Sequence, residues 1–188
     1  MTDKPRRSEE EEEYFQREDA EKKAKLRRER QLQALRDEER TSIADQLNTT
    51  EEIADEAMAL GFDSETARVL PLVPLIQVAW ADGKVTRAQA QKVQAKAQKF
   101  GVNPDTPAYE FLNLLLDEKP TGVFFDRVNQ VIRSIVDDNI EGDIRSNVLG
   151  WSKAVAEASG GFFRLTNPIS KNERKVLDEF AELFGVTE

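Results

Sequence analysis

The sequence of 188 residues contains neither cysteine nor histidine. The lack of cysteine excludes disulfides and thiolate nucleophiles, and the lack of histidine excludes imidazole acid–base catalysis and the usual zinc ligand sets. A serine triad with histidine as its base is excluded for the same reason. No spacing of two carboxylates, or of a nucleophile and a base, is typical of a catalytic site. We therefore expect a protein that is not an enzyme.

Long apolar runs are also absent from the sequence. The longest near-continuous run, residues 69–81, is interrupted by Pro71 and Pro74 and is too short to cross a bilayer. The chain starts without the charged and then apolar stretch of a secretory signal. We therefore expect a cytoplasmic protein with no membrane span.

The charges are spread unevenly along the chain. Residues 1–40 carry 13 acidic and 12 basic side chains, a net charge of −1. Residues 41–188 carry 23 acidic and 15 basic side chains, a net charge of −8, which completes the −9 of the whole chain. An acidic domain repels phosphate backbones, and it lacks the basic stripe that is typical of nucleic-acid binding. We expect protein partners and no nucleic acid.

Residues 1–40 have the composition of a charged, largely exposed helical arm. From residue 9 to residue 40, 21 of 32 side chains are charged, and no proline or glycine interrupts the segment. Glu18 with Lys22 and Glu21 with Lys25 are acid-before-base pairs at i,i+4, which favour a helix. The arm is either a solubilising tail or a partner-binding element. In the second interpretation the contact residues are Tyr14, Phe15, Leu26, Leu32 and Leu35.

From residue 41 onward, apolar residues recur at helical spacing, and no segment alternates with period two over the length of a strand. The sequence predicts an all-α domain over residues 41–188, a compact bundle of about seven to eight helices preceded by the long charged helix. Pro71 and Pro74 should interrupt or kink a buried central segment. Trp80 and Trp151 lie at helical spacing among apolar residues and are predicted core anchors.

Three capping boxes are predicted, in which a threonine or serine precedes a glutamine or glutamate by three residues. The first pairs Thr49 with Glu52, at the start of a short helix near residues 50–60. The other two, Thr86 with Gln89 and Ser170 with Glu173, each open a helix that ends in Phe-Gly-Val. We interpret this similarity as an internal pseudo-repeat.

Two motifs of the domain resemble those of the tellurite-resistance TerB-like family. The first is AWADGKVT, residues 79–86, an apolar helix that runs into an Asp-Gly turn. The second is SGGF, residues 159–162, followed by Ile169, Ser170, Glu173 and Leu177. The resemblance covers about residues 50–188. It implies a compact helical bundle with pseudo-twofold similarity, a link to stress or tellurite response, and a divalent-cation role for acidic clusters. Gln89 stands where the family often has glutamate, and this departure removes one carboxylate.

Two places could hold a divalent cation, and no other cofactor is expected. In the stretch DDNIEGDIRSNV, residues 137–148, Asp137, Asn139 and Glu141 fall at positions one, three and five of an EF-hand loop. Val148 stands where that loop needs a bidentate glutamate, so a simple helix–turn–helix is the other interpretation. Asp82 could likewise ligate a cation or accept hydrogen bonds in a turn that uses Gly83.

These observations favour a cytoplasmic protein-binding or scaffolding module of the TerB-like type. One alternative is a divalent-cation sensor that uses the acidic turns. The other is a regulator that inserts its N-terminal helix into a partner enzyme, because the arm is faintly similar in composition to the inhibitory helix of ATPase-inhibitor proteins.

Overall fold

A computed structural model of the chain describes residues 9–138 and 169–184, and all the regular structure in these ranges is helical. This confirms the all-α prediction. The seven α-helices of the described part are α1 Glu9–Leu47, α2 Glu51–Ala59, α3 Val73–Ala79, α4 Arg87–Ala97, α5 Pro107–Asp117, α6 Gly122–Asp138 and α7 Lys171–Phe184. Two 3-10 helices, Ala67–Leu72 and Gln98–Phe100, precede α3 and follow α4. Trp151, the second predicted core anchor, lies outside the described residues.

The chain divides into two compact units, Met1–Glu39 and Arg40–Glu188. The first unit, described from Glu9, is the helical arm, and almost all its side chains are exposed. Lys22 Nζ lies 2.6 Å from Glu18 Oε1, as the i,i+4 pattern predicts. The hydrogen bond and the charge of Glu18 raise the pKa of Lys22. Both side chains are well exposed, so this ion pair contributes little to stability.

The second unit begins inside α1, because this helix continues without a break to Leu47. Ile43, Ala44 and Leu47 are buried in the hydrophobic core of the second unit. The sequence changes character near residue 41, but the backbone does not, since both segments favour helical geometry. Arg40 Nε donates to Glu51 Oε2 of α2 at 3.0 Å and joins the last turns of α1 to the next helix.

The N-cap of α2 corrects the sequence prediction, because the capping residue is Thr50 and not Thr49. Asn48 adopts φ 49°, and the Thr49 N–H donates to Ala44 O at 3.0 Å. This backbone hydrogen bond makes Thr49 part of the end of α1. The Thr50 hydroxyl is left to accept from Ile53 N. A hydrogen bond from its own backbone amide, and a second from Thr50, lower the pKa of the Glu52 carboxyl.

The central segment is interrupted where its prolines predict. Pro71 lies inside the first 3-10 helix, and Pro74 lies in the first turn of α3, where a missing N–H costs nothing. Helix α3 packs against α4, α6 and α7. Six of its seven residues are buried, so it forms the middle of the core. Among the described residues, no helix is long and apolar enough to cross a membrane.

Helices α5 and α6 complete the described part of the core. The amphipathic α6 buries Phe125, Val128, Val131, Ile132, Ile135 and Val136. Phe62, at the end of α2, packs edge-to-face on Phe111 of α5 and stacks near Phe124 of α6. The Trp80 Nε1 donates to Leu115 O at 2.9 Å, which confirms that Trp80 anchors the core.

Candidate functional site

The first corner is the turn between α3 and α4, which contains the Asp-Gly motif. The Gly83 N–H donates to Trp80 O at 2.8 Å, and Gly83 has a φ of +82°, a conformation that L side chains rarely adopt. Thr86 then caps α4. Its hydroxyl accepts from Gln89 N, and the Gln89 Oε1 accepts from Thr86 N at 2.8 Å. The predicted capping box is confirmed here.

The second corner repeats this pattern at the start of α7. The Glu173 N–H donates to Ser170 Oγ at 3.1 Å, and the Ser170 N–H donates to Glu173 Oε2 at 2.7 Å. The second capping box is therefore confirmed as well. The two corners have the same hydrogen bonds at the same spacing, as the pseudo-repeat predicts.

The two corners also contact each other, which the sequence does not reveal. Gln89 Nε2 donates to Glu173 Oε1 at 2.9 Å, across 84 residues of sequence. On the surface side, Asp82 Oδ1 accepts from Ser170 Oγ and from Asn172 Nδ2, each at 2.9 Å. We call these five residues, with Thr86, the paired-corner cluster: Asp82, Thr86, Gln89, Ser170, Asn172 and Glu173.

Burial sets the electrostatics of the paired-corner cluster. Glu173 is 0% exposed and Gln89 is 2% exposed. A buried carboxylate is costly unless it is paired or hydrogen-bonded. No lysine or arginine of the described residues pairs with Glu173, so the Gln89 amide and the Ser170 N–H provide its stabilisation. An amide at position 89 suits this arrangement, because it can donate to Glu173, whereas a second carboxylate there would repel the first.

The predicted cation ligands are only partly described. Asp82 is exposed, and its Oδ1 holds the two hydrogen bonds from α7. Asp137 is exposed near the end of α6 and lies 3.5 Å from Arg133 Nε. Asn139 and Glu141, with the rest of the EF-hand-like loop, lie outside the described residues. Within residues 9–138 and 169–184, no three acidic side chains come together as a metal site would need. The cation sensor stays an alternative hypothesis.

The five predicted partner-binding residues are all exposed on α1. Their exposed fractions are 65% for Tyr14, 49% for Phe15, 48% for Leu26, 63% for Leu32 and 62% for Leu35. Tyr14 and Phe15 contact each other edge to face, with ring centroids 5.9 Å apart. Leu32 and Leu35, at i,i+3, share one face of the helix. The structure thus places apolar side chains near both ends of the arm.

No protein-family model, curated protein or solved structure matches the chain. The resemblance to the TerB-like family is carried by its two motifs alone and stays a prediction.

Neither the role of Asn172 nor the burial of Glu173 was predicted from the sequence. The repeated capping box was the available signal, because it places a glutamine in one corner and a glutamate in the other. Neither the spacing nor the composition, however, indicates that the two corners pack together.

Proposed function

We propose that the chain is a protein-binding or scaffolding module whose helical arm contacts the partner. The proposal rests on where the exposed apolar side chains lie. The described part of the chain has seven exposed large hydrophobic side chains, and five of them lie between residues 14 and 35. The other two, Leu114 and Val123, lie on the domain. Exposed apolar side chains that cluster on one segment are typical of an interaction surface.

The arrangement of these side chains constrains the partner. The aromatic pair Tyr14–Phe15 and the leucine pair Leu32–Leu35 are separated by 17 residues, from Phe15 to Leu32. At about 1.5 Å per residue, the two pairs lie about 26 Å apart along the helix axis. A single partner that contacts both must extend along the arm. The charges between the pairs keep the free arm soluble, and they also supply complementary contacts.

A regulator that inserts its helix into an enzyme is a special case of the same proposal, because it uses the same surface. The link to stress or tellurite response rests on the family resemblance. Neither adds a residue to the arm surface described above.

Capture from native lysate with the full chain as bait tests the proposal. Two double variants of the arm, Tyr14→Ser with Phe15→Ser and Leu32→Ser with Leu35→Ser, should each lose the captured partner. Leu114→Ser is the matched control, because Leu114 is 49% exposed, like Phe15, but lies on α5 of the domain. The proposal fails if both arm variants retain every partner that the unmodified chain captures.

A further inference from the structure

Helix α2 is the most acidic helix in the described part of the domain. Its nine residues include Glu51, Glu52, Asp55 and Glu56, and no lysine or arginine. Beside it, α2 and α6 enclose a surface groove of about 240 Å³. The groove is lined by Glu56, Ala59, Leu60, Arg127, Gln130 and Val131. Cavities of about 150 Å³ already accept a benzene-sized group, so this groove has room for one large apolar side chain.

The charges around the groove are predominantly negative. Arg40 pairs with Glu51 at 3.0 Å and with Asp55 at 3.6 Å, and it offsets part of the acidic face. Of the residues that line the groove, Glu56 and Arg127 are charged. Together with Arg40 and the other three carboxylates of α2, this makes four carboxylates and two guanidinium groups, a net charge of −2. Glu56 and Arg127 form no ion pair within the described residues. The groove therefore offers apolar walls, exposed carboxylates and one available guanidinium.

The arm carries the complementary pattern. Residues 22–30 (KKAKLRRER) contain six basic side chains and one acidic side chain, a net charge of +5. Leu26 lies in the middle of this segment and is 48% exposed. Its neighbours on the helix face, at three and four residues in each direction, are Lys22, Lys23, Glu29 and Arg30. Leu26 is thus surrounded by three cations and one carboxylate. The leucine is complementary to the apolar walls of the groove, the three cations to the carboxylates of α2, and Glu29 to Arg127.

We propose that the groove between α2 and α6 receives the Leu26 face of the arm of a second copy of this chain. Leu26 enters between Leu60 and Val131, the lysines and Arg30 face the carboxylates of α2, and Glu29 faces Arg127. In a twofold dimer each copy supplies one arm and one groove, so the same contact forms twice. The inference rests on the proposed function, in that it names the partner of the arm.

Sedimentation velocity of the full chain over a range of concentrations tests the dimer. We expect a monomer–dimer equilibrium that weakens as salt is raised, because the contact is largely between opposite charges. Leu26→Ser should raise the dimer dissociation constant by about tenfold or more, since it removes the apolar side chain that the arm places between Leu60 and Val131. Leu114→Ser, an equal loss of exposed leucine on α5, should leave the constant unchanged.

A reciprocal charge exchange identifies the two surfaces. Lys22→Glu with Lys23→Glu makes the Leu26 face of the arm acidic, and Glu52→Lys with Glu56→Lys makes the groove side of α2 basic. Each double variant alone should dimerise about tenfold more weakly or worse, because like charges face each other. A mixture of the two should dimerise again, since both contacts of the mixed dimer then join opposite charges. Glu118→Lys, an exposed charge reversal that does not line the groove, is the control.

Three results would overturn the inference: a chain that stays monomeric at every concentration, a dimer that is insensitive to Leu26→Ser, or a mixture that fails to reassociate. If the chain is monomeric but Leu32→Ser with Leu35→Ser still abolishes capture of another protein, the dimer is wrong and the proposed function stands.

Discussion

The arm and the domain of this protein are both helical, but different interactions stabilise their helices. In the arm, apolar side chains face solvent, with Tyr14 65% exposed and Leu32 63% exposed. In the domain, even a glutamate is buried, with Glu173 0% exposed. The arm helix is maintained by backbone hydrogen bonds and by neighbouring charges along one helix. The domain depends on contacts between residues far apart in sequence.

Because of this difference, the residues proposed to bind a partner are not the residues that stabilise the fold. A side chain that packs on nothing can be changed without loss of folding, so the arm is free to present a surface to a partner. A buried hydrogen-bonded carboxylate cannot be changed without cost, because its partners would be left unpaired.

The largest effect is expected for Gln89→Glu. This change places a second carboxylate against the buried Glu173 and should lower the free energy of unfolding by about 3 to 5 kcal/mol. Urea unfolding measures this loss. Gln91→Glu, exposed on the same helix, should be neutral, and equal losses in both variants would contradict the buried contact.

A smaller effect is expected at the first corner. A Cβ at Gly83 or at Gly122 would meet no heavy atom within 4 Å, but only Gly83 has a positive φ, of +82°. Gly83→Ala should therefore cost about 1 to 2 kcal/mol for backbone conformation alone. Gly122→Ala, at the start of α6, should be neutral or slightly stabilising. Comparing the thermal unfolding of Gly83→Ala and Gly122→Ala isolates the cost of the backbone conformation. Equal melting temperatures of the two variants would show that the turn tolerates a side chain at Gly83.

The two capping residues should each contribute about 1 kcal/mol, as measured by Thr86→Ala and Ser170→Ala. Ser170 Oγ also donates to Asp82 Oδ1. The double-mutant cycle of Ser170→Ala and Asp82→Ala should therefore give a coupling free energy of about 0.5 kcal/mol or more. Thr106 caps α5 by accepting from Tyr109 N and does not contact Asp82. Thr106→Ala should show the same capping cost without the coupling. If Ser170→Ala and Asp82→Ala prove additive, as we expect of Thr106→Ala and Asp82→Ala, the two corners are independent.

Changes to the arm should have little effect on stability. Leu32→Ser with Leu35→Ser should change the free energy of unfolding by less than about 0.5 kcal/mol, because both side chains are exposed. Removal of residues 1–35 should shift the melting temperature by only a few degrees, while the remaining chain keeps Arg40 and its ion pairs with α2. A loss of several kcal/mol in either case would show that the arm is part of the folded core.

No effect is expected from divalent cations. Calcium and magnesium should give no binding heat and no thermal shift, because Val148 replaces the bidentate glutamate of an EF-hand loop. Saturable binding that disappears in Asp137→Ala would instead support the cation sensor. Binding that disappears only in Asp82→Asn would place the cation at the first corner.

Features that depend on near neighbours could be predicted from the sequence. Both capping boxes at the corners, the interruption at Pro71 and Pro74 and the exposure of the arm follow from local chemistry, and the structure confirms them. The N-cap of α2 was predicted one residue too early. The choice between Thr49 and Thr50 depends on how α1 ends, and the left-handed conformation of Asn48 decides it.

Tertiary structure alone decides which distant groups meet. Gln89 and Glu173 are separated by 84 positions in the sequence, and Asp82 and Ser170 by 88. No periodicity or spacing in the sequence indicates that these residues are in contact. The same is true of the groove, which exists because α2 packs on α6. Local preferences fix where each helix begins and ends, since they act within a few residues. The packing of the helices fixes which side chains are buried together, since burial requires a partner surface that the local sequence does not contain.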